Sequence, residues 1–155
     1  MKKMYHYKEC GLDNVWLVNG YHVRHTAYGD ALSIEDVAGL YDSIARTLVE
    51  KVGTLGGKEI RFLRKHLRQS QRALGDSLGS DEQTVSRWER GETTIPASAD
   101  RLLRAYYREL KQGDAGLKEL LDRLAERTVR KPAQPVRLKR TTERESGEKE
   151  WKLAA

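Results

Sequence analysis

The sequence predicts a mainly α fold: a helical bundle with a small N-terminal β-hairpin plus helix as an appendage, and a C-terminal helix with a basic tail. Three observations predict it. The stretch Gln71 to Gly91, QRALGDSLGSDEQTVSRWERG, is punctuated as two short helices around a tight turn. Apolar residues recur at helical spacing on both sides of that stretch. The clearest β-prone runs stand near the N-terminus.

In chain order, Val15-Trp-Leu-Val18 and Tyr21-His-Val-Arg24 are β-prone and separated by Asn19-Gly20. That dipeptide favours the two-residue type I′ turn, so a hairpin is expected across it. Asp36 then caps an amphipathic helix, VAGLYDSIARTLVEK, with Val37, Leu40, Ile44 and Leu48 facing inward. So small a sheet buries little apolar surface alone, and it is expected to pack on this helix. Gly53, Gly56 and Gly57 mark a joint, which sets residues 1–53 apart as a small hairpin and helix domain.

Residues 54–112 read as the central domain. Lys58 to Arg68, KEIRFLRKHLR, places Ile60, Phe62, Leu63 and Leu67 broadly on one side. Ser70 can cap the next helix, in which Ala73, Leu74 and Leu78 share a face until Gly79 ends it. Ser80 or Asp81 starts another, with Val85 and Trp88 inward and Gly91 and Pro96 stopping it. Trp88 reads as core rather than as a base-stacking residue, since it shares a face with Val85. Leu102, Leu103, Tyr106 and Leu110 form a stripe too apolar for an exposed helix, and part of it must close the core.

Residues 113–129 carry Leu117, Leu120, Leu121 and Leu124 at i, i+3, i+4 and i+7, a helix expected to pack on a partner subunit rather than on its own domain. In the tail, residues 130–155, charge density predicts disorder. The alternation of Val136, Leu138 and Arg140, and of Trp151 and Leu153, would instead make a second hairpin.

Composition narrows the function. The chain has 155 residues, a net charge of +6 and a pI near 9.5, which permits an anionic partner. From Lys58 to Arg72 six Lys or Arg stand against one acid, Glu59, which suits an approach to phosphates. The excess is largest in the tail, where eight Lys or Arg face four Glu after residue 128. The single Cys10 excludes an internal disulfide. His6, Cys10, His22 and His25 fit no familiar metal-ligand spacing, so neither a metal nor another cofactor is expected. No Gly-rich phosphate loop, Ser-His-Asp arrangement or HExxH spacing is present, so the chain is not expected to be an enzyme. No run of 18 apolar residues and no N-terminal leader pattern is seen, which predicts a cytoplasmic protein with no membrane partner.

In a helix-turn-helix the second helix enters the major groove, so its outward positions meet base edges. Here those are Glu82, Gln83, Ser86 and Arg87. Gln pairs bidentately with adenine and Arg with guanine, at about 1 to 3 kcal/mol of discrimination each. Glu82 either accepts from cytosine or serves the helix N-terminus.

These residues resemble the Cro and CI repressor (XRE) family of lambda-repressor-like domains, and within it the DNA-binding half of MqsA-type antitoxins. The resemblance covers about Gly53 to Leu110 and rests on Gln71, Gly79 and the run Thr84-Val-Ser-Arg-Trp-Glu-Arg-Gly91. It implies that Gln83 and Arg87 read bases, and that Gln71 contacts a phosphate and braces the reading helix. It also implies phosphate contacts from Thr84, Arg90, Thr93 and Thr94, with backbone N–H groups of Glu92 to Thr94 and with Lys65 beside them. An ion pair between Arg64 and Glu89 is implied too, and an acid beside inward-facing Trp88 would in any case need a partner. A twofold homodimer follows, with Tyr106, Tyr107 and Leu110 at its interface and Arg108 near it. MqsA-type chains carry paired Cys in an N-terminal zinc module, and this chain departs from that with one Cys.

The expected function is a sequence-specific DNA-binding transcriptional regulator, a dimeric repressor on a palindromic operator in double-stranded DNA, associated with the nucleoid when bound. The alternative is an antitoxin that also neutralises a toxin protein and autoregulates its operon, an expectation resting on the resemblance alone.

Overall fold

The computed structural model describes residues 3–113, 116–119, 138–140 and 151–153. Two small antiparallel sheets come first: β1 (Tyr5–His6) pairs with β2 (Trp16–Leu17), and β3 (Tyr21–Thr26) with β4 (Gly29–Ile34). Helices follow: α1 (Val37–Glu50), α2 (Gly57–His66), α3 (Gln71–Leu78), α4 (Glu82–Glu89) and α5 (Ala97–Gln112), and residues 116–119 are helical as well. Near the C-terminus β5 (Leu138–Arg140) pairs antiparallel with β6 (Trp151–Leu153). These strands fall in the two alternating runs of the tail.

The expected hairpin across Asn19-Gly20 does not form. β2 turns back to β1 and β3 runs forward to β4, leaving Asn19-Gly20 as the link between two sheets. The β3–β4 register aligns six pairs from Tyr21↔Ile34 to Thr26↔Gly29, more ladder than the four-residue run before Asn19 can supply. Gly20 still uses the positive φ that the dipeptide favours, at 77°.

The starts of α1 to α4 have identifiable caps, and α5 starts after Pro96 without a side-chain cap. Asp36 accepts from the Gly39 N–H at 3.1 Å, Ser70 from the Ala73 N–H at 3.0 Å and Asp81 from the Thr84 N–H at 2.7 Å. Asp81, not Ser80, therefore starts α4. Gly56 N–H donates to Glu59 Oε1 at 2.8 Å, which Lys51 also reaches at 2.7 Å. Gly79 ends α3 at φ 71° in the left-handed region.

One apolar core joins the helices. Ile60, Leu63, Leu74, Val85 and Leu103 have at most 1 % exposure, with Phe62, Leu78, Trp88 and Ile95 around them. Leu12, Ala45 and Leu48 belong to the same cluster, so α1 and the turn around Leu12 pack onto the bundle. Arg104 reinforces that joint. Its guanidinium donates to the Lys51 carbonyl at 2.6 Å and to that of Gly53, and it pairs with Asp100 at 3.2 Å. Asp100 in turn accepts from the Leu55 N–H at 3.1 Å.

Two inward assignments change. Val37 is 43 % exposed and Ala73 is exposed, while Ala45 and Leu48 take the inner face of α1. Tyr106 and Tyr107, expected at a dimer interface, are 0 % and 6 % exposed and belong to the core of the single chain. Their positions follow from α5 closing the bundle on α1 and α3, which takes up that stripe within the chain. Leu110, the third expected interface residue, is half-buried against the same cluster. Leu117 packs against that cluster as well. Leu120, Leu121 and Leu124 lie outside the described residues.

Arg68 holds φ at 56° just after α2. A left-handed conformation costs an L-residue with a side chain about 1 to 2 kcal/mol. Arg68→Gly is therefore expected to raise the unfolding free energy by about 0.5 to 1 kcal/mol after the extra chain entropy of glycine is subtracted. A urea titration checks this. A lowered midpoint would mean that the Arg68 stem contributes more than its backbone strain costs.

Candidate nucleic-acid interface

The tight turn between α3 and α4 depends on close backbone approach. A Cβ on Gly75 would lie 2.6 Å from the Ser80 carbonyl oxygen, so the α3 helix presses directly on the chain that starts α4. Gly57 plays the matching part at the other end of α4, where a Cβ would meet the Trp88 and Glu89 carbonyl oxygens at 2.6 and 2.5 Å. Nothing in the helical periodicity marks Gly75, and Gly57 was read from the sequence as part of a joint and not as a contact with α4.

These contacts fix which face of α4 points out. Val85, Trp88 and Glu89 are buried, while Glu82, Gln83 and Arg87 are exposed and Ser86 is half-buried. No hydrogen bond or ion pair among the described residues holds the side chains of Glu82, Gln83 or Arg87. Glu82 stands in the first turn of α4, where the helix dipole favours its charge. Thr84 is half-buried and turned to the cap: its backbone N–H, then its hydroxyl, hold the Asp81 carboxyl below the usual carboxylate range.

The inner face of α4 is tied down by a buried carboxylate. Glu89 Oε1 accepts from Arg64 Nε at 2.5 Å, and Oε2 from Arg64 Nη2 at 3.1 Å, Gln71 Nε2 at 2.9 Å and Arg61 Nε at 3.3 Å. Burial pushes the Glu89 carboxyl up, and the hydrogen bonds and charge of Arg64, with Gln71 and Arg61, outweigh it, so the group lies below its ordinary range. Arg64 also donates to the Gln69 carbonyl at 3.0 Å, spanning the α2–α3 link. The structure thus brings Arg64 and Glu89 together and adds Arg61, one helical turn before Arg64. The i, i+3 spacing of the two arginines was the available signal for it.

The expected phosphate contacts divide. Gln71 directs its amide to Glu89, so it braces α4 from inside the chain. Arg90 is held in a fork by Glu92, at 2.9 and 3.1 Å, and by Ser86 Oγ at 2.5 Å. The Glu92 carboxylate raises the Arg90 pKa, and Arg90 lowers that of Glu92. The backbone N–H groups of Glu92 and Thr93, expected to be free for phosphate, donate instead to the Arg87 carbonyl at 3.0 and 3.5 Å. That is how the chain leaves α4 once Gly91 takes φ 72°. The side chains of Thr93 and Thr94 are exposed beyond this turn. Lys65 is exposed on α2 and lines a cleft with Tyr41 and Lys58.

The four residues weighed as metal ligands each have another partner. His6 Nε2 lies 2.6 Å from the Asp13 carbonyl oxygen, His22 3.0 Å from Glu35, His25 2.5 Å from Asp30, and Cys10 Sγ donates to the Tyr7 carbonyl at 3.4 Å. Among the described residues no group of three or more His, Cys, Asp or Glu is placed to hold a metal ion. None of the helices among the described residues is long and apolar enough to cross a membrane.

Comparison with known proteins agrees with this geometry over the central helices. No curated protein and no solved structure matches the chain. Residues 60–104, from α2 into α5, match the family model described as Helix-turn-helix.

Proposed function

We propose that this protein is a sequence-specific regulator of transcription that lays α4 in the major groove of double-stranded DNA, and that it acts as a dimeric repressor by covering a palindromic operator. The observation that carries the reading is the division of α4 into a seated face, Val85, Trp88 and Glu89, and an outward face, Glu82, Gln83, Ser86 and Arg87, whose side chains can bond base edges. Phosphate contacts supply most of the affinity and the outward face supplies the selectivity. The site of action is the cytoplasm, at the nucleoid.

Selection of bound duplexes from a random pool is expected to return an inverted repeat with half-site centres about 10 to 10.5 base pairs apart, or a multiple of that. Return of a single, non-repeated site would contradict the dimer. Absence of any preferred sequence would contradict specific regulation.

A second reading, an antitoxin that also covers a toxin protein, draws on the N-terminal segment. Trp16, Val18, Val23 and Tyr28 are all exposed there. Stoichiometric co-purification of a toxic protein encoded beside this one, lost when residues 16–28 are altered, would favour it over plain repression.

A further inference from the structure

A cleft of about 420 Å³ opens where the turn at residues 9–11 and α1 meet α2. Small-molecule sites span about 300 to 1,000 Å³ and combine an apolar wall with a few convergent polar groups. This one has both. Tyr41 and Phe62 meet edge to face with ring centroids 5.6 Å apart, and Phe62 and His66 stack at 6.0 Å. Lys58, Arg61 and Lys65 rise from α2 at i, i+3 and i+7, on one side of the helix.

The charges around the cleft are unequal. Lys58 is paired with Asp13 at 2.6 Å and Arg61 with Glu89 at 3.3 Å, while Lys65 has no hydrogen bond or ion pair among the described residues. Arg61 and Arg64 share the one carboxylate of Glu89 and Lys65 has none, so the α2 wall of the cleft carries excess positive charge. That wall suits an anion, and a planar carboxylate suits the guanidinium fork of Arg61.

We propose that this cleft is an effector site for a small aromatic monocarboxylate. Its ring lies against Tyr41, Phe62 and His66, and its carboxylate is held by Arg61 and Lys65. Binding weakens the seat of α4. The link is Arg61, whose side chain is 46 % exposed while that of Glu89 is 0 % exposed. Arg61 is thus the partner of Glu89 that a ligand can reach from solvent, and a carboxylate in the cleft competes with Glu89 for it. Loss of that bond leaves the Glu89 carboxylate held by Arg64 and Gln71, which loosens the seat of α4 and favours the state that reads DNA poorly. The regulatory half rests on the DNA-binding reading, and the binding half does not.

Titration of the full chain with phenylacetate, without DNA, tests the binding half. Saturable binding is expected, with acetate and benzyl alcohol each weaker by about tenfold or more. Amide resonances of Gly11, Phe62 and Lys65 are expected to shift, and Lys65→Gln, with unchanged melting, to bind phenylacetate about tenfold more weakly. Absence of saturable binding, or equal affinity for acetate, overturns the site. For the regulatory half, saturating phenylacetate is expected to weaken binding to the selected duplex by about fivefold or more. Phenylacetate binding with unchanged DNA affinity overturns the coupling. A chain that binds phenylacetate but no DNA retains the site and overturns the reading of α4.

Discussion

Glu89→Ala is expected to lower the unfolding free energy by about 3 to 5 kcal/mol, because removing one partner of a buried ion pair leaves the other uncompensated. The side chain has no exposure and four hydrogen bonds from Arg64, Gln71 and Arg61 end on it. A domain of this size has about 5 to 15 kcal/mol in total, so the loss should bring much of the population near its unfolding midpoint at moderate urea. Replacing Arg64 and Glu89 together by Leu should recover part of it, since an apolar pair of similar volume leaves less buried charge. The same network gives a pH dependence. The Glu89 carboxyl lies below its ordinary value of about 4.3 in the folded chain, so its contribution is complete above that value and is lost as pH falls through the folded value. Urea titrations stepped from neutral to about pH 3 should show stability falling at the acid end, and Glu89→Gln should flatten that fall. An unchanged midpoint in Glu89→Ala would mean that the carboxylate does not anchor α4.

Arg87→Ala is expected to cost about 1 to 3 kcal/mol of binding per half-site and to relax preference at one base pair in each. The Arg87 side chain is exposed and makes no hydrogen bond among the described residues, so its loss should leave melting within about 0.5 kcal/mol of the unaltered protein. Titration of the selected duplex beside versions changed at single base pairs separates the two effects. A uniform loss across all duplexes would make Arg87 a phosphate contact. Retention of every base preference would move the reading face elsewhere.

The helices that present Arg87 were the most legible part of the sequence. Ser70, Asp81 and Gly79 act within a few residues of themselves, so local chemistry sets the ends of α3 and α4. The long-range features were harder to see. Asn19-Gly20 has a strong local turn preference, yet the sheet pairing around it was decided by Gly29–Ile34, a run that no turn signal tied to Tyr21. Tyr106 and Tyr107 were apolar enough for either an interface or a core, and α1 and α3 decided for the core. The Asp100–Arg104 clamp joins residues some 45 to 55 positions apart, and periodicity carries no trace of it. Within the candidate interface, spacing gave the outward face of α4, whereas the competition of Glu92 for Arg90 and of Glu89 for Gln71 needed coordinates.

Dimethyl sulfate footprinting on the selected duplex tests most directly whether α4 reads the major groove, since the reagent marks guanine N7 there and adenine N3 in the minor groove. Protection of guanine N7 in both half-sites is expected, with the guanine facing Arg87 losing protection in Arg87→Ala. Protection confined to adenine N3, or guanine protection that persists in Arg87→Ala, would contradict the account.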